Sequence, residues 1–169
     1  HQGPREDTGR LVVVPGPRYA SSDTFRIELR GRGGHGAGPH MTVDPVHIAA
    51  ELVTSLHRIV SRRVDPLEPA VITVGTLQAG TKENIIPDTA RLTGTVRAFS
   101  QSVRELLHHE IETVTRGVTG AWGATFEMEY VWGYPVMTND ARMAELGARA
   151  AEKILAAEAV SRTGVPVMG

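Results

Sequence analysis

A strand that runs into a glycine-dense loop constrains this chain more than any other feature. Phe25, Ile27 and Leu29 alternate with Arg26, Glu28 and Arg30, the period of two that marks a strand with one buried face. Gly31, Gly33, Gly34, His35 and Gly36 follow, and Asp44-Pro45 supplies a helix N-cap and a first helical residue. Glycines this dense mean that the backbone takes positive φ there or is approached closely by other atoms. Gly31-x-Gly33-x-x-Gly36 after a strand matches the dinucleotide fingerprint. Its context argues against that reading, because Ala37-Gly38-Pro39-His40-Met41 follows instead of a helix, and no Val/Ile-rich buried strand precedes it. A second reading places His35 on a glycine-flanked tip from which its imidazole reaches a site elsewhere. The plain alternative is a surface histidine in a turn.

Around this loop the pattern is regular. Residues 1–22 are turn-rich, with a short apolar strand at Leu11–Val14, a stop at Pro15-Gly16-Pro17 and a polar link from Tyr19 to Asp23 that reads as a hinge. From Asp44, Ala49, Leu52, Val53, Leu56, Ile59 and Val60 form one apolar helical stripe. Ala70–Gln78 is a strand with Ile72, Val74 and Thr76 on one face; another runs from Ala90 to Phe99. Ser102 and Glu105 have capping-box spacing and open a second helix ended by Gly117 and Gly120. Phe126, Met128 and Tyr130 alternate in a fourth strand, and Thr138-Asn139-Asp140 caps a last helix expected to reach about Glu158. Residues 23–135 therefore read βαββαβ, an α+β ferredoxin-like sandwich with a four-stranded antiparallel sheet and two helices on one face. That fold serves many functions.

Composition excludes some of them. A net charge of −1 and 5% aromatic residues offer neither the basic patch nor the stacking platforms of a nucleic-acid binder. No apolar run approaches the ~20 residues of a membrane span. Cysteine is absent, which rules out disulfides and is compatible with a cytoplasmic setting. The chain begins at His1 without methionine and is expected to be a piece of a longer protein.

GRGGHGAGPH at 31–40, VDP at 43–45, VGTLQAGTKENIIPD at 74–88 and GTVR at 94–97 resemble the dimerisation, or lid, domain of the zinc-dependent amidohydrolases and exopeptidases, over about residues 1–140. The resemblance implies a lid inserted into a catalytic domain that holds two divalent metal ions, zinc or manganese, and acts on N-acyl amino acids or related amides. Residues 1–22 would be the end of a catalytic-domain segment with the hinge, 23–135 the lid, and 136–169 the return helix. His1 resembles a metal-binding histidine just before the lid. His35 resembles the lid histidine that crosses a homodimer and donates to the substrate's carbonyl oxygen, Asn84 an asparagine that contacts substrate, and Arg97 an arginine that pairs with the substrate carboxylate. Plain alternatives are a turn residue bonding its own backbone for Asn84 and a solvent-facing strand charge for Arg97. The remaining ligands and the general base would lie outside this sequence. The chain alone is expected to bind no metal pair and to be inactive.

The other histidines fit no ligand spacing. His47, His57, His108 and His109 read as solvated helix residues, and His108-His109 point to different helix faces; His40 sits beside the glycine loop. Two rival classes stay open: a freestanding ferredoxin-like binding module, for example for RNA, and a regulatory small-molecule domain dimerising through its sheet edge. The former needs aromatics on the open sheet face and a basic surface.

Overall fold

The computed structural model describes residues 7–168. In chain order the elements are Leu11–Val12 (β1), Gly16–Tyr19 (β2), Ser22–Arg30 (β3), Gly34–His35 (β4), Pro45–Arg63 (α1), Ala70–Ala79 (β5), Ile85–Ile86 (β6), Thr89–Ala98 (β7), Gln101–Ala121 (α2), Thr125–Tyr134 (β8), Met137–Asn139 (β9), Ala141–Ala151 (α3) and Val160–Ser161 (β10), with 3-10 turns at Pro39–Met41 and Ala157–Ala159. Ser21–Pro135 forms one compact unit, and the residues flanking it form another.

The larger unit is the expected ferredoxin-like sandwich. Its four-stranded antiparallel sheet has the order β5-β7-β3-β8, so β5 and β8 are the edges. Phe25, Ile27 and Leu29 of β3 and Leu92 and Val96 of β7 bury against Ile48, Leu52, Leu56 and Ile59 of α1 and Val103, Leu107 and Ile111 of α2. Both helices thus cover one face, as the apolar stripes required. The other face carries paired charges: Arg26 with Glu129, Arg91 with Glu28, and Arg30 with Glu28 and Glu127. Such exposed pairs contribute little to stability.

Several local details differ from the sequence pattern. A bulge at Gly75 shifts the β5–β7 pairing from Val74↔Gly94 to Thr76↔Thr93, so Thr76 leaves the Ile72/Val74 face and its hydroxyl meets that of Thr93 at 2.6 Å. An extra residue in one strand reverses the alternation after it. The cap of α2 is Ser100, whose hydroxyl accepts the Val103 N–H, and not Ser102. The helix passes Gly117 and Gly120 and ends at Ala121; within it the buried Thr115 and Thr119 hydroxyls donate to the carbonyls one turn earlier.

Asp23, expected in a polar link, is fully buried. Arg104 of α2 donates to it twice, Nε to Oδ2 at 2.7 Å and Nη2 to Oδ1 at 2.5 Å. The Gly133 N–H adds a bond to Oδ1 at 2.8 Å, and the Tyr130 hydroxyl one to Oδ2 at 3.4 Å. Gly133 can be nothing larger, because a Cβ there would stand 1.9 Å from the Ser22 carbonyl oxygen. The bond to Asp23 is the main cause that raises the Arg104 pKa. Burial first, and then Asp23, push the Tyr130 phenol well above its ordinary range.

In the flanking unit β1 pairs in parallel with β10, and β2 antiparallel with β9. The strand expected at Leu11–Val14 is confined to Leu11–Val12, and β2 runs through Pro17, which a two-stranded edge tolerates. The last helix stops at Ala151, short of Glu158, because the chain must turn back for Val160 to meet Leu11. Helix propensity yields to pairing there. No helix among the described residues is long and apolar enough to cross a membrane.

Removing one partner of a buried pair leaves an uncompensated charge, so Arg104→Ala should cost about 3–5 kcal/mol. Arg116→Ala, which breaks an exposed pair with Glu112 and a stacking over the Phe126 ring, should cost at most about 1–2 kcal/mol. Guanidinium denaturation of the two variants checks this, and equal midpoints would contradict it.

Candidate functional site

The glycine loop and the Asn84-Ile85-Ile86-Pro87 turn are one structure. Gly34 pairs with Ile86 and His35 with Ile85 in a two-stranded antiparallel sheet of β4 and β6. The Gly36 N–H donates to the Asn84 carbonyl at 2.9 Å, the Gly33 N–H to Asp88 Oδ1 at 2.8 Å, and the Gly31 N–H to the Asp88 carbonyl at 2.9 Å. Close approach, not positive φ, explains the glycines here, since positive φ occurs at Gly9, Gly16, Gly80 and Gly123. A Cβ on Gly33 would come within 2.5 Å of the Ile86 carbonyl oxygen and 3.0 Å of the Pro87 carbonyl carbon. Both are backbone atoms that cannot yield.

This pairing fixes His35 and Asn84 as neighbours on one exposed rim. The Ala37 N–H donates to His35 Nδ1 at 3.1 Å; in the neutral ring the proton therefore sits on Nε2, which stays available as a donor. The Asn84 carboxamide makes no hydrogen bond among the described residues, so the expected alternative of a side chain bonding its own turn is not what forms. A cleft of about 540 Å³ adjoins the rim, lined by Gly36, Asp44, Val46, Lys82, Glu83 and Ile85 among others. Its chemistry is that of a hydrogen-bond donor pair beside a mixed polar and apolar hollow.

Arg97 lies elsewhere. It pairs with Val71 near the far end of β7, about 30 Å from Asp88 at the ordinary rise of a strand. Its guanidinium donates to the Val96 carbonyl at 3.0 Å and the Asp23 carbonyl at 3.4 Å. Within one chain it does not join His35 and Asn84. His1 lies outside the described residues. His47, His57 and His109 are exposed, as a solvated reading expects, whereas His108 is half-buried against Tyr130 and Trp132; His47 also packs edge-on against Trp122, and His57 Nε2 accepts the Val74 N–H at 3.3 Å. Nothing in their sequence spacing reveals these contacts. Among the described residues no three or more His, Cys, Asp or Glu converge to hold a metal ion, so they do not fit a two-metal centre.

The profile of the peptidase dimerisation domain matches residues 20–121. The chain belongs to that family. Its relatives include the N-acyl-L-amino acid amidohydrolase of Geobacillus stearothermophilus, 43% identical over 79% of this chain and 36% of the relative. The N-acetyldiaminopimelate deacetylase of Brevibacillus brevis is 38% identical over 85% of this chain and 38% of the relative. Among solved structures, the Bacillus subtilis YXEP protein, described as a dinuclear metal-binding peptidase of the M20 family, superposes with a TM-score of 0.75 at 26% identity, over 100% of this chain and 41% of that one. An aminobenzoyl-glutamate utilization protein from Klebsiella pneumoniae shares the fold, with a TM-score of 0.79 at 20% identity over 100% and 42%. The chain thus spans little more than a third of the length of the curated relatives it matches.

Because Gly33 has no room for a side chain, Gly33→Ala should part the loop from the Ile85–Ile86 strand. Exchange of the Gly36 amide should quicken at least about tenfold, while core amides of β3 and β7 stay protected. Hydrogen exchange read by NMR checks it; an unchanged Gly36 rate would contradict the close-approach account.

Proposed function

We propose that this chain is the dimerisation and substrate-capping domain of a metal-dependent amidohydrolase or peptidase that hydrolyses N-acyl amino acids or related amides in the cytoplasm. The family membership and the named activities of the relatives support it, as does the lack of cysteine for the compartment. The observation that carries the reading is the β4–β6 pairing, which holds His35 Nε2–H and the Asn84 carboxamide on one rim. The flanks 1–22 and 136–169 are portions of the catalytic domain, and the two divalent ions, zinc or manganese, belong to that domain with His1 as one ligand. When bound, they supply Lewis-acid chemistry and an activated water.

What this chain contributes is charge placement. His35 donates from Nε2 to the carbonyl oxygen as it becomes an oxyanion, a donor commonly worth about 10²–10³ in rate. Asn84 holds the same end of the amide, and Arg97 takes the substrate carboxylate with its planar guanidinium. Their separation is a consequence of using two chains. β5 carries no proline and no charge, so its edge is open to pairing, and it runs from the Arg97 end of the sheet to the Asn84 end. Two copies joined antiparallel along β5 by a two-fold axis place one protomer's Arg97 at the same end as the partner's His35 and Asn84. A freestanding RNA-binding module fits less well, because the open sheet face presents salt-bridged pairs such as Arg26–Glu129 and Arg91–Glu28 and no row of aromatic rings.

Complementation tests this in the full-length enzyme. His35→Ala and Arg97→Met should each lower turnover by about 10²-fold or more with folding intact. Mixed dimers of the two variants hold one site with both changes and one with neither, so random reassociation should restore about a quarter of wild-type activity. No restoration would sink the shared site, and full turnover by His35→Ala would sink the donor role.

A further inference from the structure

At the middle of β5 a histidine of α1 takes up a donor that an edge strand ordinarily leaves free. His57 Nε2 accepts the Val74 N–H, so that donor points away from β7. Alternation turns the Ala70 and Ile72 donors outward as well. At Gly75 the extra residue shifts the phase, the pairing moving to Thr76↔Thr93 and Leu77↔Leu92, and the outward positions become Leu77 and Ala79.

On the reading above, that two β5 edges pair across a two-fold axis, laying Val71–Gln78 antiparallel on its own copy sets Ile72 opposite the partner's Leu77 and Ala70 opposite the partner's Ala79. Each is outward position against outward position, as a hydrogen-bonded pair requires. Val74 falls opposite the partner's Gly75, at the bulge beside the axis, where no ladder partner exists. We propose that His57 keeps the Val74 N–H in the dimer as it does in the single chain, and that protonating His57 opens the dimer.

An imidazolium has two N–H groups and no acceptor. Protonation therefore leaves Val74 an orphan donor facing another donor, twice per dimer, inside the strand pairing. It also sets two cations beside the axis. Within the chain, β5 contains no titratable residue, the α1 residues one turn from His57 are Val53, Thr54, Val60 and Ser61, and the adjacent charge is Arg58. Of the acidic groups where α1 meets α2, Glu51 is held by Trp122 and Glu110 by Arg63; α2 packs over β7 and β8. Arg91 and Arg97 of β7 lie on the opposite face of the sheet. The sign follows: the dimer needs His57 neutral, dissociation takes up protons, and association weakens on acidification.

Analytical ultracentrifugation of this chain at about pH 8 and about pH 5.5, with circular dichroism to verify folding, tests the proposal. The wild-type dimer dissociation constant should rise at least about tenfold on acidification, with two protons setting a ceiling of about a hundredfold per pH unit. His57→Gln, whose carbonyl oxygen accepts at either pH, should stay dimeric with under about twofold change. A wild-type dimer equally strong at both values overturns the role of His57 and leaves the edge pairing standing. The same pH dependence in His57→Gln, or a monomeric Gln variant at both values, overturns it too. A well-folded wild-type monomer at pH 8 and tens of micromolar removes the edge pairing itself, and the proposal with it.

Discussion

The carboxylate of Asp23 is the point on which the larger unit depends. It lies at the start of β3, accepts two bonds from Arg104 of α2 and one from the Gly133 amide of β8, and so joins a central strand, an edge strand and a helix in a single cluster. Arg104 also donates to the Gly133 carbonyl at 3.0 Å and stacks over the Trp132 ring at 4.9 Å. Two buried charges carry a desolvation cost that only dense hydrogen bonding offsets. The cluster supplies that density, and it does so where the chain enters the unit at Ser21 and leaves it at Pro135. Ser21 extends the same joint, its amide donating to the Ala98 carbonyl and its hydroxyl accepting from the Ala98 amide.

The sheet then divides its surfaces by chemistry. One face disappears beneath α1 and α2 with a core of branched aliphatic side chains and Phe25. The opposite face pairs arginines with glutamates and is satisfied as it stands. Of the two edges, β8 alternates glutamates outward and leads into Pro135, features that discourage strand addition. β5 has neither guard. An uncharged edge that includes a bulge, with a helix histidine leaning over its centre, is therefore the unit's available surface for a second strand.

The glycine loop that carries His35 has a shape set by what it touches. Three glycine amides, those of Gly31, Gly33 and Gly36, bond to Asp88 and Asn84, and backbone atoms of the Ile86-Pro87 segment occupy the space a side chain at Gly33 would need. The loop is thus held on a strand, not free on a tip. That restraint leaves His35 Nδ1 accepting the Ala37 N–H and Nε2 as the neutral ring's donor. Arg97, by contrast, sits at the root near Asp23, and in the proposed dimer it is the partner's histidine end that it would meet.

The βαββαβ order of the larger unit, its two apolar helix stripes and the candidate residues His35, Asn84 and Arg97 were legible in the sequence. The elements rest on local periodicity, which one-dimensional patterns record well, and the candidate residues rest on short motifs that resemble a known family. What tertiary structure alone decided are the pairings between distant segments. Asp23 and Arg104 stand 81 positions apart, and nothing in Tyr19–Asp23 distinguishes a buried carboxylate from a polar link. The bulge at Gly75 moved Thr76 to the other face, because a single glycine does not announce an extra residue. Propensity carried the last helix on to Glu158, whereas the chain turns back after Ala151 to pair Val160 with Leu11. The contact of His57 with Val74 depends on a helix crossing an edge strand, and no spacing within α1 encodes it. Local sequence thus determined which elements form and which residues stand as candidates for the site. Packing determined which of them meet, because burial and hydrogen bonding are settled between segments that the chain itself keeps far apart.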